Sequence, residues 1–543
     1  MSRIHYKNLC AFTGRESDAF LTDFTVEDGV FASGKAVGSA AVEEVDLQGA
    51  FVMPAFLDVH AHPEGLAMTL AAVPCTPPLV RSIDDLVKAL AESPSATAGA
   101  GWIDGWGYDE SLLTEKRTPT RHDLDRVSTE RPVWIRRSDY HSAVVNTKAL
   151  ELAGITRDTP DPEGGAFGRD AQGNPDGRLI ELGAVNYVTA RARPAKTFET
   201  DVADILRLSE HYLHHGILAT CDMMAHRGGE GTEPLALYRE AVRRGLPVDM
   251  NLYAVWSGGE DSFGMPDFSK DEKTGTARYV GVKLFADGSI SGRTAAVRHP
   301  YLPPSDGSAA DYPAGMMTLD EPTFRAAVAF ARRNEVQVSI HIMGDRSIDA
   351  VLSWLAAEAP WLEGAEYPNI RLEHASMIRP DQLSLIVGLE KAGHRVGLTT
   401  QVIFPFAEWR SYHAALAKED FAAIYPVKSM AQAVMPFALS SDAPCTTWSD
   451  TDDVFACLEA AVTRKDSDGG DFNQKEAVSV GTALALYTSR AAAVMPENGR
   501  VGVIEPGARA NFIMLSANPF KVTPKELHAL SVTGVWKDGR RMR

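Results

Sequence analysis

The chain has 543 residues, 45% hydrophobic and 23% charged, ordinary proportions for a soluble globular protein and enough chain for a principal domain with an accessory one. With 72 acidic residues against 54 basic ones the formal net charge is -18, so a nucleic acid would be repelled at long range while cations would be attracted. No apolar run approaches the roughly 20 residues that span a bilayer, the start lacks the apolar stretch of a signal peptide, and the scattered Cys10, Cys75, Cys221, Cys445 and Cys457 fit reduced thiols, so a cytoplasmic protein with neither membrane nor nucleic-acid partner is expected.

In chain order, residues 1 to 50 hold short alternating segments with turn residues, and residues 490 to 543 hold more, such as VGVIEPGARANFIMLS and VTGVWKDGRRM. Neither end carries enough apolar surface to fold alone, so one small β-sandwich built from 1–50 plus 490–543 is expected. Between them, 51–489 contains eight strand-like runs: FVMPAFLDVH, GILATCDMM, VDMNLYAVW, YVGVKLFADG, VQVSIHIMGD, NIRLEHAS, HRVGLTTQ and PFALSSDAP. Helix-like segments such as EPTFRAAVAFARRNE separate most of them. Alternating strands and helices imply parallel pairing, and eight near-continuous apolar strands imply an α/β fold of the (β/α)8 TIM-like barrel type. A doubly wound open sheet would carry a Gly-rich nucleotide loop after a strand, and none is present. The gap of about 155 residues after the first run is far too long for one connection. It predicts a large insertion after barrel strand 1, about 65–215, which also takes the run PVWIRR.

The first run ends in Asp58-Val59-His60-Ala61-His62. Alternate strand residues face one side, so both imidazoles point together. His341, His374 and Asp442 end three other runs. In a barrel all those ends share one mouth, and four imidazoles with a carboxylate suit Zn²⁺ or a similar divalent ion. Lys283 sits inside a fourth buried run aimed at the same mouth. An ammonium beside two dications would be repelled, whereas an amine that has captured CO₂ is a carbamate able to bridge them; the alternative is a lysine paired with Asp287 or with a substrate carboxylate beside one metal.

The motifs MPAFLDVHAH, WGYDES, DYHSAVVNTKAL, GITRDTPDPEGG, VKLFADGSISGRTA, HIMGDRSID, RLEHAS, ALSSDAP and IEPGARANF together resemble the amidohydrolase superfamily, within it the amidohydrolase-3 branch that includes N-substituted formamide deformylases and YtcJ-like proteins. The resemblance runs over nearly the whole length. It implies two zinc ions, His60 and His62 on one, His341 and His374 on the other, a carbamylated Lys283 bridging them, and Asp442 binding metal and handling protons. His141 resembles a position facing substrate, where it could polarise the carbonyl as a catalytic residue, and Trp106, Tyr108, Asp109, Asp139 and Tyr140 form a second group of candidate substrate contacts, with Arg293 and Glu181 weaker ones. Trp106 and Tyr108 have an equal alternative as packing residues of the insertion. Two departures stand out: Tyr140 where the family usually has glycine, and Asn511 where it usually has aspartate.

The implied reaction is hydrolysis of a linear amide-type C–N bond in an N-acyl or N-formyl small molecule by a metal-bound hydroxide, with Asp442 as base then acid. The alternatives are a deaminase or cyclic amidohydrolase using the same site, and a non-catalytic metal-binding regulatory protein. A homodimer is the commonest assembly for such chains.

Overall fold

A computed structural model describes residues 3–16, 19–33, 43–97, 101–138, 142–227, 232–256, 265–303, 313–434, 436–496 and 499–543. Asp139, Tyr140 and His141 lie outside the described residues. The chain forms two compact units, one of residues 1–62, 209–442 and 452–543, the other of 63–208 and 443–451.

Eight strands of the first unit make one sheet: β1 (Phe56–Ala61), β2 (Ile217–Ala225), β3 (Asp249–Val255), β4 (Ala277–Phe285), β5 (Gln337–Ile342), β6 (Ile370–His374), β7 (Val396–Thr400) and β8 (Phe437–Leu439). They lie in chain order with every pairing parallel. At the seam between β8 and β1 the Asp442 amide donates to the His60 carbonyl at 2.8 Å, and the Ser441 amide to the Asp58 carboxylate at 3.0 Å. The sheet is thereby nearly closed into the expected TIM-like barrel.

The helices around it have local causes. In Glu321–Asn334 the Asp320 side chain accepts from the Thr323 amide, Pro322 stands in the first turn, and Glu335 turns left-handed at the end, which supplies a start, a preset φ and a stop. Its buried Phe324, Ala327, Val328 and Ala331 recur at helical spacing and make the stripe that covers the sheet.

Both termini pair in one seven-stranded sheet of order 540–541, 532–537, 512–515, 43–54, 3–12, 20–27 and 30–32. Its far edge curls back, since the Phe31 amide donates to the Ala508 carbonyl at 2.8 Å. Phe24 and Phe31, at one end of the strand order, therefore reach Phe512 in its middle, at ring distances of 5.2 and 6.1 Å. Phe512 also stacks on Trp536 at 4.7 Å.

The second unit has its own six-stranded sheet, of order 166–169, 175–180, 143–145, 133–137, 103–108 and 73–74. Helix Ile83–Ala91, capped by Ser82, buries Ile83, Leu86, Val87 and Leu90 in one cluster with Ile103, Val133 and Ile135. Among the described residues no helix is long and apolar enough to cross a membrane.

Removing the ring at the centre of the terminal sheet leaves a void that several neighbouring aromatics cannot fill. Phe512→Ala should cost about 3 to 5 kcal/mol, read as a lower urea midpoint.

Candidate metal centre

At the heart of the barrel, β6 carries two charges in a strand with no exposed residue, Arg371 and Glu373. Alternation puts both inside the barrel. Arg371 Nε lies 2.8 Å from Glu373 Oε1, and its Nη atoms donate to the Tyr253 hydroxyl at 2.8 Å and the Val59 carbonyl at 2.7 Å. Glu373 accepts from Ser339 Oγ at 2.8 Å, from Thr399 Oγ1 at 2.6 Å, and from His60 Nδ1 at 2.7 Å. Burial pushes the Glu373 pKa up, but Arg371 and His60 outweigh it and hold the carboxyl well below its ordinary range.

His60, 1% exposed, is thus fixed as a tautomer. Because Nδ1 faces a carboxylate it carries the proton, and Nε2 is the acceptor. Yet Nε2 lies 3.2 Å from Asp442 Oδ1, another acceptor. His374 repeats the pattern: Nδ1 donates to Gln401 Oε1 at 2.8 Å, and Gln401 Nε2 donates to Ser440 Oγ at 2.8 Å. His374 Nε2 is then a buried lone pair with no hydrogen-bond partner. His62 Nε2 stands 2.8 Å from the same Asp442 Oδ1.

Acceptors converging in a buried space call for a cation between them. Ligand atoms of His60, His374 and Asp442 lie within 4.8 Å of one another. Neighbouring ligands on a tetrahedral ion with bonds of about 2.0 Å stand roughly 3.3 Å apart. The residues therefore fit a divalent metal. Their charge states fit as well. Burial drives the His374 imidazolium down well below its ordinary pKa, and burial together with Lys283 brings His341 down to about 4. Neutral imidazole is the metal-binding form.

His341 lies at the end of β5, its ring 4.4 Å from that of His374. Its Nε2 donates to the Gly288 carbonyl at 3.1 Å, so Nδ1 is the remaining acceptor. Lys283 on β4 is 1% exposed, and its charge is felt at His341, His374 and Glu373. Asp287 is an anchor for the loops above β4 and β5: it accepts from the amides of Ala296, Met343 and Gly344 and from Ser347 Oγ. Three residues at this mouth, His374, Ala375 and Asp442, have φ of 72, 44 and 58°, the left-handed region in which a side chain costs roughly 1 to 2 kcal/mol. Strain of this kind persists where surroundings over-determine it; here Thr400 Oγ1 donates to the His374 carbonyl at 2.6 Å, and the Asp442 amide is held by His60.

The structure therefore brings together His60, His62, His374 and Asp442 at ligand distance, with His341 and Lys283 adjoining. Arg293 donates to the Ala414 carbonyl at 2.7 Å. In the second unit, Tyr108 is built into the apolar cluster around Ile103 and Val133, Trp106 is buried on the same strand, and Glu181 is an exposed residue opening helix Glu181–Ala192.

Sequence reasoning missed Glu373, Arg371, Gln401 and the Asp58–Ser441 bracket. Arg371 and Glu373 had a signal, since charges in a buried strand are the same anomaly that singled out Lys283. Gln401 had none. Partners that orient metal-binding histidines typically change affinity by about 10 to 100-fold. Gln401→Leu should weaken zinc binding by about that factor in a competition titration, with thermal stability of the metal-free protein nearly unchanged.

The amidohydrolase family model (Amidohydro_3) matches residues 43–543. The chain is 28% identical over 538 residues to the putative amidohydrolase YtcJ of Bacillus subtilis, covering 93% of each chain. It is 27% identical over 519 residues to the N-substituted formamide deformylase of Arthrobacter pascens, covering 92% of this chain and 90% of the relative. The crystal structure of an uncharacterized metal-dependent hydrolase from Pyrococcus horikoshii superposes with a TM-score of 0.69 at 25% identity, covering 96% of this chain and 99% of that one. A match over more than nine-tenths of the chain, together with a mouth of neutral imidazoles and a carboxylate, identifies the chain as a member of the amidohydrolase family, a hydrolase of carbon–nitrogen bonds.

Proposed function

We propose that the protein hydrolyses a linear amide-type bond in an N-acyl or N-formyl small molecule, using two zinc ions held by His60, His62, His341, His374 and Asp442 and joined by a carbamate on Lys283. The observation that carries this reading is the pair of buried imidazoles at the mouth: His60, whose Nε2 lies 3.2 Å from Asp442 Oδ1 while Nδ1 faces Glu373, and His374, whose Nε2 has no hydrogen-bond partner. The relation to a formamide deformylase supports the linear substrate over a cyclic one.

Bound divalent ions supply Lewis-acid polarisation of a carbonyl and lower the pKa of water from 15.7 toward about 7. The chain's own residues do the rest. Asp442 Oδ1 lies between His60 Nε2 and His62 Nε2, where it can accept a proton from attacking water and return it to the departing nitrogen. An amine leaves poorly unless protonated, so this second transfer is as necessary as the first. Glu373 and Gln401 keep the two imidazoles in the tautomer that presents Nε2. Carbamylation would convert Lys283 from a cation to an anion: the ammonium loses a proton, the freed amine nitrogen bonds the carbon of CO₂, and a second proton is released. That change turns repulsion toward dications into attraction.

Two measurements test the reading. Enzyme stripped by a chelator should lose activity and regain it with zinc and bicarbonate. Assayed on N-formyl amines, N-acyl amines, cyclic amides and amino-heterocycles, the restored enzyme should favour a linear amide by at least about 100-fold in kcat/KM; a preference for ring opening or ammonia release would contradict the assignment. Asp442→Asn should keep most of the bound metal and lower kcat by about 10² to 10⁴; retained turnover would remove Asp442 from proton transfer.

A further inference from the structure

Away from the mouth, two histidines sit one helical turn apart in helix Leu208–His215, which feeds directly into β2. His211 and His215 are at i and i+4, so their rings share a face, with centroids 4.4 Å apart. His215 Nδ1 donates to the His211 carbonyl at 3.0 Å, which makes Nε2 its acceptor nitrogen. Asp452, 1% exposed, places both carboxylate oxygens 2.8 and 2.9 Å from His211 Nε2. Ligand atoms of His211, His215 and Asp452 all lie within 4.8 Å of one another.

A second imidazole distinguishes this cluster from an ordinary His–Asp pair. The two rings stand 4.4 Å apart at an interplanar angle of 41°, so two imidazolium charges would repel, whereas one dication could take a nitrogen of each ring and a carboxylate oxygen of Asp452 together. His211 keeps 14% of its side chain exposed, so an ion has a way in.

We propose that His211, His215 and Asp452 form a second metal site, separate from the mouth, that takes a zinc or similar borderline divalent ion and serves structure rather than chemistry. Its place in the fold gives the reason. β8 and β1 are the two ends of the strand order, joined by the Ser441 and Asp442 amides rather than by a ladder. Asp452 follows β8, and the two histidines precede β2, the partner of β1. An ion held by all three staples the seam at which the barrel closes.

Zinc alone is the probe. In protein stripped by chelator, reloaded with excess zinc and dialysed, His211→Ala/His215→Ala should carry one zinc per chain fewer than wild type. A His60→Ala/His374→Ala variant, impaired at the mouth, should still bind zinc, its Tm should rise by several degrees on zinc addition, and X-ray absorption should show two imidazoles with oxygen ligands. Adding the His211 and His215 changes should abolish that shift. Equal zinc content in wild type and the His211→Ala/His215→Ala variant overturns the site. Should the proteins carrying His211→Ala and His215→Ala not fold, the His60→Ala/His374→Ala protein decides alone: a Tm indifferent to zinc, or zinc without an imidazole pair, contradicts the proposal.

Discussion

The ion pair between Arg371 and Glu373 is the constraint on which the catalytic end of this barrel depends. Charges this deep are costly, and losing either partner typically costs about 3 to 5 kcal/mol because the other is left uncompensated. Here the pair is complete: Tyr253 and Val59 take the guanidinium, and Ser339 and Thr399 serve the carboxylate. Contacts therefore reach from β6 to β1, β3, β5 and β7. A register slip in any of those strands would leave a buried charge unmet, so the network helps specify the barrel as well as the site. Its output is the hydrogen bond to His60 Nδ1, which determines the nitrogen that faces the mouth.

From that bond outward the site is a problem in charge. The imidazoles of His341 and His374 are neutral because burial makes their cations expensive, and the Asp442 carboxylate stands beside His60 and His62. A mouth built this way is short of positive charge at its centre and has lone pairs already aimed there. The left-handed backbone at His374 and Asp442 is part of the same construction: the chain accepts local strain where strand becomes loop, and two side chains turn inward together. Preorganisation of this sort makes metal affinity depend on residues that never touch the metal, such as Gln401 and Glu373.

Much of this was legible in the sequence because the barrel writes its pattern plainly. Eight apolar runs separated by helical periodicity became eight parallel strands in chain order, and His60, His374 and Asp442 met because strand ends share a mouth. The long gap after the first run held a sheet of its own, with PVWIRR as one of its strands. The orienting residues were harder to see. Gln401 is an unremarkable residue after a strand, and its role depends on which way His374 turns. Glu373 was visible as a charge in a buried strand but passed as a neighbour of the more familiar His374. Tyr108 shows the opposite difficulty: an aromatic in a recognisable motif reads equally as a pocket wall or as core, and in the second unit it packs with Ile103 and Val133.

The central claim is that paired acceptors at the mouth exist to hold cations. Anomalous diffraction from crystals grown with zinc and bicarbonate addresses it directly. The account predicts anomalous peaks between His60 Nε2, His374 Nε2 and Asp442, with continuous density extending Lys283 by a carboxylate. A mouth without anomalous signal at saturating zinc, with His60 and His374 hydrogen-bonded through Nε2 to protein groups, would contradict it.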